Sequence, residues 1–341
     1  MSDTSKIASL ELGRLVAMIA IIMLHCQMFL SYFTLDGEPW FGYVFNQLTR
    51  FAVPLFFLIA GYLIQPKLTN KPWQTVLNYG SPLIRIWVIW SVISLLMPFN
   101  WGVLLEHGYL AERQGYWSYL LQTPLNSLLE GGLVHLWFIP ALLSAIVIIA
   151  ALIDFKLSRW ILPLSLALYC YGVLAGSYAV LTELPSPFFT RNGPFFATLM
   201  VAIGFTLRQS EFQFSASKAI WLTGLGLSIH IVEAYWLHGM GQIFNTNDFL
   251  FGTIFWATGI MIYLLTHPDL GRNAIVFSLS KRVLPVYVCH LPMVIVMMNV
   301  AGFFGLTHAP KDAIVLIGTL VFSYLLVVAT EKTPLNRWLF R

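Results

Sequence analysis

The sequence predicts an all-α, polytopic integral membrane protein with about ten transmembrane helices. Of its 341 residues, 58% are hydrophobic and only 10% are charged, and the mean hydropathy is +0.76. Soluble domains carry roughly a quarter charged residues, so no water-soluble fold of this length can bury so much apolar surface. The chain also contains long apolar runs, such as 15–24 and 136–153, and about 20 such residues span a bilayer.

The first apolar run extends from Leu15 to Phe33. It is longer than the roughly 7–15 residues of a signal-peptide core, so we interpret it as a membrane span. The three cysteines, Cys26, Cys170 and Cys289, all fall inside predicted spans and indicate neither a disulfide framework nor a zinc site. The predicted spans are 11–33, 41–64, 81–99, 133–153, 160–180, 193–208, 218–237, 249–266, 283–303 and 313–330.

Basic residues between the spans predict the orientation of the chain. Cytoplasmic connections of membrane proteins are enriched in Lys and Arg. One set of alternate connections holds Lys6, Lys67, Lys71, Lys156, Arg159, Arg208, Lys218, Arg272, Lys281, Arg282, Lys332, Arg337 and Arg341, whereas the other holds only Arg113, Arg191 and Lys311. We therefore predict that both termini are cytoplasmic and that the segment 100–132 lies outside, with its aromatic-rich part on the membrane surface.

Ionisable residues inside membrane spans are costly and mark functional sites. Arg14 and His25 lie eleven residues apart on the first span, about 16 Å along a helix and within roughly 20° of the same face. One stripe of this helix can therefore bind an anion near the cytoplasmic surface and hold a base deeper in the membrane. The alternative is an arginine that snorkels to the interface and a histidine with a structural hydrogen bond.

Two further arginines lie within predicted spans. Arg50 is about nine residues into the second span, too deep to snorkel easily, and it precedes Pro54, which is expected to kink the helix. An arginine at this depth needs an anionic or polar partner. Arg85 lies near the cytoplasmic end of the third span and could clamp phosphates together with Arg14, although the positive-inside bias alone can also explain it.

The remaining candidates lie nearer the outer face. His135 opens the fourth span, and Arg191 lies at the outer mouth of the sixth. Glu233 is the only acidic residue well inside a predicted span, so it is a natural partner for Arg50, His135 or Arg191. Charge balance of this kind is as good an interpretation as direct chemistry. For His290 we expect a structural or pocket-shaping role.

Several common catalytic motifs do not occur. The sequence contains no GxxxxGK[ST], no HExxH, no CxxC and no GxSxG. A phosphate-binding loop, a zinc protease site and a hydrolase nucleophile elbow are therefore unsupported. We expect no bound metal and no nucleic-acid partner.

Several motifs in the sequence resemble those of a known family. The spacing of Arg14 and His25 resembles a feature of the membrane acyltransferase-3 family, whose members acylate bacterial cell-surface glycans and some small molecules. Four further segments are similar to family motifs in the same order: LTRFAVPLFFLIAGYL at 48–63, HLWFIPALL at 135–143, RNGPFFATLMVAIGFTLR at 191–208 and SLSKRVLPVYVCHLPMV at 278–294. The chain departs from the family pattern at Ala60, Pro285 and Cys289, which we interpret as local variation. Its length and second helix are most similar to the enterobacterial-common-antigen O-acetyltransferase type.

The resemblance implies an enzyme of the bacterial inner membrane that transfers an acetyl group from cytoplasmic acetyl-CoA to a hydroxyl of a glycan. It implies a single transmembrane acyltransferase domain over 1–341, without the extracytoplasmic SGNH-type domain of longer members. The implied partners are an acyl-CoA, a glycan or lipid-linked saccharide acceptor, and membrane lipids.

The resemblance and the residue positions together give each candidate a role. Arg14 and Arg85 would bind acetyl-CoA, and His25 would act as the general base. Arg50 would stabilise the oxyanion or bind the acceptor. His135, Arg191 and Glu233 would shape the acceptor side. Donor and acceptor would then meet inside the membrane from opposite sides, or the acceptor would be a lipid-linked sugar on the cytoplasmic leaflet. The resemblance leaves open whether the acetyl group passes directly to the sugar or through an acyl-enzyme.

A secondary transporter is the main alternative, because buried Arg, His and Glu residues and kinked spans suit one equally well. Many transporters contain paired internal repeats, and none is visible in this sequence. A sensor or scaffold has no supporting feature.

Overall fold

The computed structural model describes residues 7–210 and 215–340, and the regular structure of these residues is helical apart from one isolated bridge between Leu35 and Glu38. The all-α membrane fold predicted from the sequence is confirmed. The helices are α1 (Ala8–His25), α2 (Trp40–Leu48), α3 (Ala52–Asn70), α4 (Pro72–Leu96), α5 (Trp101–Gln122), α6 (Pro124–Glu130), α7 (Phe138–Asp154), α8 (Ile161–Leu174), α9 (Ala179–Thr182), α10 (Pro194–Gln209), α11 (Ala216–Gly239), α12 (Phe251–Thr266), α13 (Ala274–Ser280), α14 (Val283–Phe303), α15 (His308–Thr330) and α16 (Leu335–Leu339).

Each of the ten predicted spans coincides with helix in the structure. Within the described ranges, seven helical segments are long and apolar enough to cross a membrane, and α2 and α3 count together as one of these. The other three predicted spans coincide with shorter helical segments: Ser158–Leu174, Pro194–Gln209 and Phe251–Thr266. The apolar runs thus locate the helices correctly, and the differences concern their ends.

The first helix ends eight residues earlier than predicted, at His25. Beyond it, Gln27, Phe29 and Phe33 adopt left-handed backbone conformations that a helix cannot contain. This turn is held by Asp312 at the start of α15, whose carboxylate accepts hydrogen bonds from the Phe29 amide at 2.7 Å and from the Tyr32 hydroxyl at 3.0 Å. His25 therefore lies at a helix end rather than inside a helix.

The second span is broken rather than merely kinked. α2 ends at Leu48, α3 begins at Ala52, and Arg50 lies in the break. The Thr49 hydroxyl donates to the Asn46 carbonyl oxygen at 2.6 Å and so satisfies one acceptor at the end of α2. The sequence placed the distortion at Pro54, but this proline lies in the first turn of α3, where its missing N–H costs no helical hydrogen bond.

The helix ends collect at two faces of the bundle. At the first face the start of α1 meets the segment after α12, where the Ser9 amide donates to the Pro268 carbonyl oxygen at 3.1 Å. At the second face the start of α2 meets the end of α11, where the ring centroids of Trp40 and His238 lie 5.1 Å apart. The first face is the one that the basic residues predict to be cytoplasmic. The location of the termini there stays a prediction, since Lys6 and Arg341 lie outside the described residues.

A close helix contact in the bundle core joins α3 and α10 through two glycines. A Cβ atom added to Gly61 would collide with the Val201 carbonyl oxygen, and one added to Gly204 would collide with the Leu58 carbonyl oxygen. At each glycine, the backbone of the other helix occupies the space that a side chain would fill. Small residues at such positions allow the close van der Waals contact that holds membrane helices together.

Substitution of Gly204 by alanine should therefore destabilise the bundle. The added methyl group forces α3 and α10 apart, which costs about 1–3 kcal/mol. We expect a lower midpoint of thermal unfolding for Gly204→Ala in detergent. The matched control is Gly224→Ala in α11, because no described atom beyond its own helix lies within 4 Å of the added Cβ atom. This control should be neutral or stabilise the protein by up to about 1 kcal/mol. Equal midpoints for the two variants would contradict the proposed contact.

Candidate active site

His25 lines a cavity of about 180 Å³ inside the bundle. The break between α2 and α3 brings Arg50 to this cavity, and a 3₁₀ turn at Val134–Trp137, just before α7, brings His135. Arg191, from the 3₁₀ turn before α10, also lines it. The structure therefore brings together four of the residues singled out in the sequence, although they come from four separate segments.

Arg50 has the polar surroundings that its depth requires. Its Nη1 donates to Asp248 Oδ1 at 2.5 Å, its Nη2 to the Asn245 carbonyl oxygen at 2.6 Å and its Nε to Asn46 Oδ1 at 3.3 Å. Three of the five guanidinium N–H groups are used in these bonds. Two N–H groups remain that can face the cavity.

Asp248 joins Arg50 to Arg191. Its second carboxylate oxygen accepts from Arg191 Nη1 at 2.6 Å, and Arg191 Nη2 donates to Glu130 Oε1 at 2.8 Å. Two guanidinium groups and two carboxylates thus form one chain of ion pairs with no net charge. All four side chains are largely buried, and the most exposed of them is Asp248 at 26%.

The charge of Asp248 follows from these neighbours. Burial raises the pKa of its carboxyl group, but Arg191 and Arg50 lower it more strongly, so the pKa lies below the usual range of an aspartate. Asp248 lies in the connection between α11 and α12 and remains ionised at neutral pH. It therefore neutralises positive charge beside the His25 cavity.

Glu233 does not form the ion pair that the sequence predicted for it. Its carboxylate accepts hydrogen bonds from the Tyr178 hydroxyl at 2.7 Å and from the amides of Phe251 and Gly252 at 3.2 and 2.7 Å. It thus caps the start of α12, where unpaired amides and the helix dipole favour an anion. The expected pairing of Glu233 with Arg50, His135 or Arg191 is wrong. Its role in substrate binding stays a prediction.

Arg14 lines a second cavity of about 180 Å³ nearer the first face. The wall of this cavity combines Tyr79 and Leu83 of α4 with apolar residues of α3, α7 and α14. Arg14 also pairs with Glu11 at 3.0 Å, one helical turn earlier. Arg85 lies on α4 two residues beyond Leu83, which turns it about 200° away around the helix. The structure therefore places Arg14 on this cavity and Arg85 on a different side of α4.

Tyr287 of α14 lines both cavities and forms the wall between them. Its hydroxyl group donates to the backbone carbonyl oxygen of His135, and its ring packs against Phe138 with centroids 5.4 Å apart. The Arg14 cavity and the His25 cavity thus adjoin at this aromatic side chain.

A third cavity opens toward the second face and has a volume of about 840 Å³. It shares Arg191 and Asp248 with the His25 cavity. Its polar lining consists mainly of amide and hydroxyl side chains: Gln122, Thr123, Asn126, Ser177, Ser186, Thr190, Gln242 and Thr246. The three cavities therefore follow one another through the bundle, with His25 in the middle one.

The sequence also matches a known protein family. The sequence pattern described as "Acyltransferase domain" matches residues 7–328, which is nearly the whole chain. The chain belongs to the acyltransferase-3 family. This membership supports acyltransferase activity in general and confirms the resemblance drawn from the motifs.

Two curated relatives of this acyltransferase-3 protein are named as racemases. A serine/alanine racemase of Enterococcus gallinarum is 26% identical over 261 residues, covering 70% of this chain and 34% of the relative. An amino-acid racemase of Enterococcus faecalis is 24% identical over 296 residues, covering 82% of this chain and 39% of the relative. The chain thus spans little more than a third of the length of these relatives. No solved structure matches it.

Sequence reasoning missed two acidic residues of the site, Asp248 and Glu130. Asp248 directly precedes a predicted span, and Glu130 lies in the segment predicted to be outside, so neither was counted as intramembrane. The available signal was the unmet charge of Arg50, which required an anion from some other segment. For His290 the sequence predicted a structural or pocket-shaping role, and its ring lies 5.2 Å from that of His25.

Replacement of Asp248 by asparagine should be far more damaging than most single substitutions in this acyltransferase-3 chain. It leaves two largely buried guanidinium groups without their shared anion, and breaking a buried ion pair costs about 3–5 kcal/mol. We expect Asp248→Asn to lower both the midpoint of thermal unfolding and the transfer activity.

Asp36→Asn, at an exposed site, is the matched control and should change neither quantity. An Asp248→Asn protein as stable and active as the wild type would show that the ion-pair chain is dispensable.

Proposed function

We propose that this protein is a membrane O-acyltransferase that moves an acetyl group from cytoplasmic acetyl-CoA to a hydroxyl of a cell-surface glycan or its lipid-linked precursor. The observation that carries the proposal is the position of His25 between two cavities of opposite character. One cavity is lined mainly by apolar residues with Arg14 at its wall, and it lies toward the predicted cytoplasmic face. The other is lined by amides and hydroxyl groups and opens at the opposite face.

The Arg14 cavity suits the reactive end of the donor. Its volume is smaller than the roughly 300–1,000 Å³ of pockets that enclose a drug-sized ligand. It can therefore hold an acyl-thioester arm, while the nucleotide of CoA stays outside at the first face. Arg14 would pair with a phosphate of the donor at the mouth of this cavity. Arg85 would meet the nucleotide from another side of α4.

His25 suits the role of general base. A neutral imidazole accepts a proton near pH 7, and such catalysis typically contributes 10²–10⁴-fold to a rate. In the proposed reaction His25 takes the hydroxyl proton of the acceptor, and the hydroxyl oxygen attacks the thioester carbon. The C–S bond breaks as the new C–O bond forms, and the proton passes to the sulfur of CoA. The two remaining N–H groups of Arg50 would bind the oxygen that becomes negative during this step.

The large cavity at the second face suits a hydroxyl-rich acceptor. Its charged lining residues, Arg191 and Asp248, neutralise each other. The amide and hydroxyl side chains around them can exchange hydrogen bonds with sugar hydroxyl groups, since they act as both donors and acceptors. In the proposed function His135 and Arg191 form the passage from this cavity to His25.

A secondary transporter remains the second candidate, because cavities in series through a helical bundle would also serve transport. The two functions differ in whether a covalent product forms. Membranes that contain the protein are given radiolabelled acetyl-CoA and a glycan acceptor. Label on the sugar supports the acyltransferase, whereas solute accumulation in sealed vesicles without labelled sugar supports the transporter.

His25→Ala should abolish the transfer of label while the protein still inserts and unfolds at the wild-type temperature. We expect a fall of about 10²–10⁴-fold, because the base is lost. His107→Ala is the matched control, since the His107 side chain is 65% exposed on α5. Wild-type activity in the His25→Ala protein would disprove the assignment of the base.

Arg14→Ala should weaken donor binding more than it slows the chemical step. A charge-assisted hydrogen bond contributes about 1.5–3 kcal/mol, so the KM for acetyl-CoA should rise about 10- to 100-fold. Arg14→Lys keeps the positive charge, so the KM for acetyl-CoA should rise less in this variant than in Arg14→Ala. An unchanged KM in the alanine variant would rule out Arg14 as the phosphate-binding residue.

A further inference from the structure

His290 of α14 lies between the two other histidines of the site. Its ring centroid is 5.2 Å from that of His25 and 5.1 Å from that of His135. Its side chain is fully buried. Neither the family match nor the proposed reaction assigns a role to His290.

Backbone carbonyl oxygens determine which nitrogen carries the hydrogen in two of these rings. His290 Nδ1 contacts the Tyr287 carbonyl oxygen, and His135 Nε2 contacts the Val288 carbonyl oxygen at 3.0 Å. A carbonyl oxygen only accepts hydrogen bonds, so each of these nitrogens carries the hydrogen. The Val288 carbonyl is available because Pro292, four residues later, has no N–H to donate to it.

In the neutral form of each ring, the opposite nitrogens, His290 Nε2 and His135 Nδ1, are therefore bare acceptors. Both atoms are buried, and neither has a hydrogen-bond partner among the described residues. Two bare acceptors cannot bond to each other, and the nearby Tyr287 hydroxyl already donates to the His135 carbonyl oxygen. A buried polar atom without a hydrogen-bond partner lowers the stability of the folded protein by about 1–3 kcal/mol. A hydrogen-bond donor near these two nitrogens would remove this penalty.

The His25 ring can supply that donor. Two imidazole rings joined by a direct N–H···N bond have centroids about 5 Å apart, because the nitrogens lie about 3 Å from each other. The His25 and His290 rings are close enough for such a bond, with centroids 5.2 Å apart, but no hydrogen bond joins them in the structure, so the His25 ring must turn to form it. A neutral imidazole has one N–H and one bare nitrogen. A bond from the N–H of His25 to His290 would leave the bare nitrogen of His25 free to act as the base.

We propose that His290 is a positioning residue: its Nε2 accepts the ring N–H of His25 and thereby fixes which nitrogen of His25 takes the proton of the acceptor hydroxyl. The inference rests on the proposed transfer reaction. In that reaction the hydroxyl proton goes to the bare nitrogen of His25, the acyl group moves from sulfur to oxygen, and the proton is returned to the CoA sulfur. Throughout these steps His290 holds the second nitrogen of His25 and stabilises its positive charge. Its place corresponds to the third group that orients the base in other acyl-transfer sites.

His290→Ala should lower kcat by at least about tenfold, with little change in the KM for acetyl-CoA, because orientation of the base affects the chemical step. His290→Gln should restore part of this loss, since its amide oxygen can accept a hydrogen bond from His25. The double variant His25→Ala/His290→Ala should be no slower than His25→Ala alone, because His290 acts only through His25.

Cys289→Ala is the matched control, because Cys289 is the neighbouring buried residue and its thiol faces Ser323 on α15. It should retain the wild-type kcat. Three results would overturn the proposal: an unchanged kcat in folded His290→Ala protein, losses that multiply in the double variant, or equal activities for the alanine and glutamine variants. If the wild-type protein labels no acceptor, the proposed function fails instead.

A second measurement is independent of activity. Solid-state ¹⁵N NMR of histidine-labelled protein reports which ring nitrogens carry hydrogen. The His25 resonances are assigned by their loss in His25→Ala protein. We expect His290→Ala to shift the protonated nitrogen of His25, whereas Cys289→Ala should not. An identical His25 spectrum in all forms would show that His290 does not bond to it.

Discussion

The site depends on a single carboxylate, that of Asp248, shared between two arginines. An arginine inside a membrane protein is tolerated only when it pairs with an anion or forms hydrogen bonds with polar groups. Asp248 receives Arg50 from the break in the second span and Arg191 from the turn before α10. It thereby joins three segments that are distant in sequence. Without this carboxylate, Arg50 would lose its anion, and the chain of Arg50, Arg191 and Glu130 would carry one uncompensated positive charge beside the His25 cavity.

Interrupted helices supply the polar groups that this site uses. A continuous membrane helix satisfies its own backbone and offers nothing to a ligand. The break at Arg50 turns a guanidinium group inward, and the end of α1 exposes His25 at a helix terminus. In α14, Pro292 releases the Val288 carbonyl, which then sets the protonation of His135. The distortions are therefore part of the chemistry of the site.

The sequence predicted the helices well because apolar runs depend only on local composition. It also identified Arg50 as a residue in need of an anion, which is a local argument about depth. The identity of that anion was not predictable in this way. Glu233 was the obvious acidic residue, but the start of α12 already occupies its carboxylate. Asp248 lies 198 residues from Arg50, in a connection, and only the packing of the bundle brings the two together.

The wall formed by Tyr287 bears on how a transferase of this kind avoids hydrolysis. A thioester that reached His25 together with water would be hydrolysed, since the same base activates either nucleophile. The Tyr287 hydroxyl is bonded to the His135 backbone, and the ring separates the Arg14 cavity from the His25 cavity. In the proposed function the acyl arm must therefore pass this aromatic side chain on its way to His25. His290 follows Tyr287 by one helical turn, so the residue between the cavities and the residue proposed to orient the base belong to the same segment of α14.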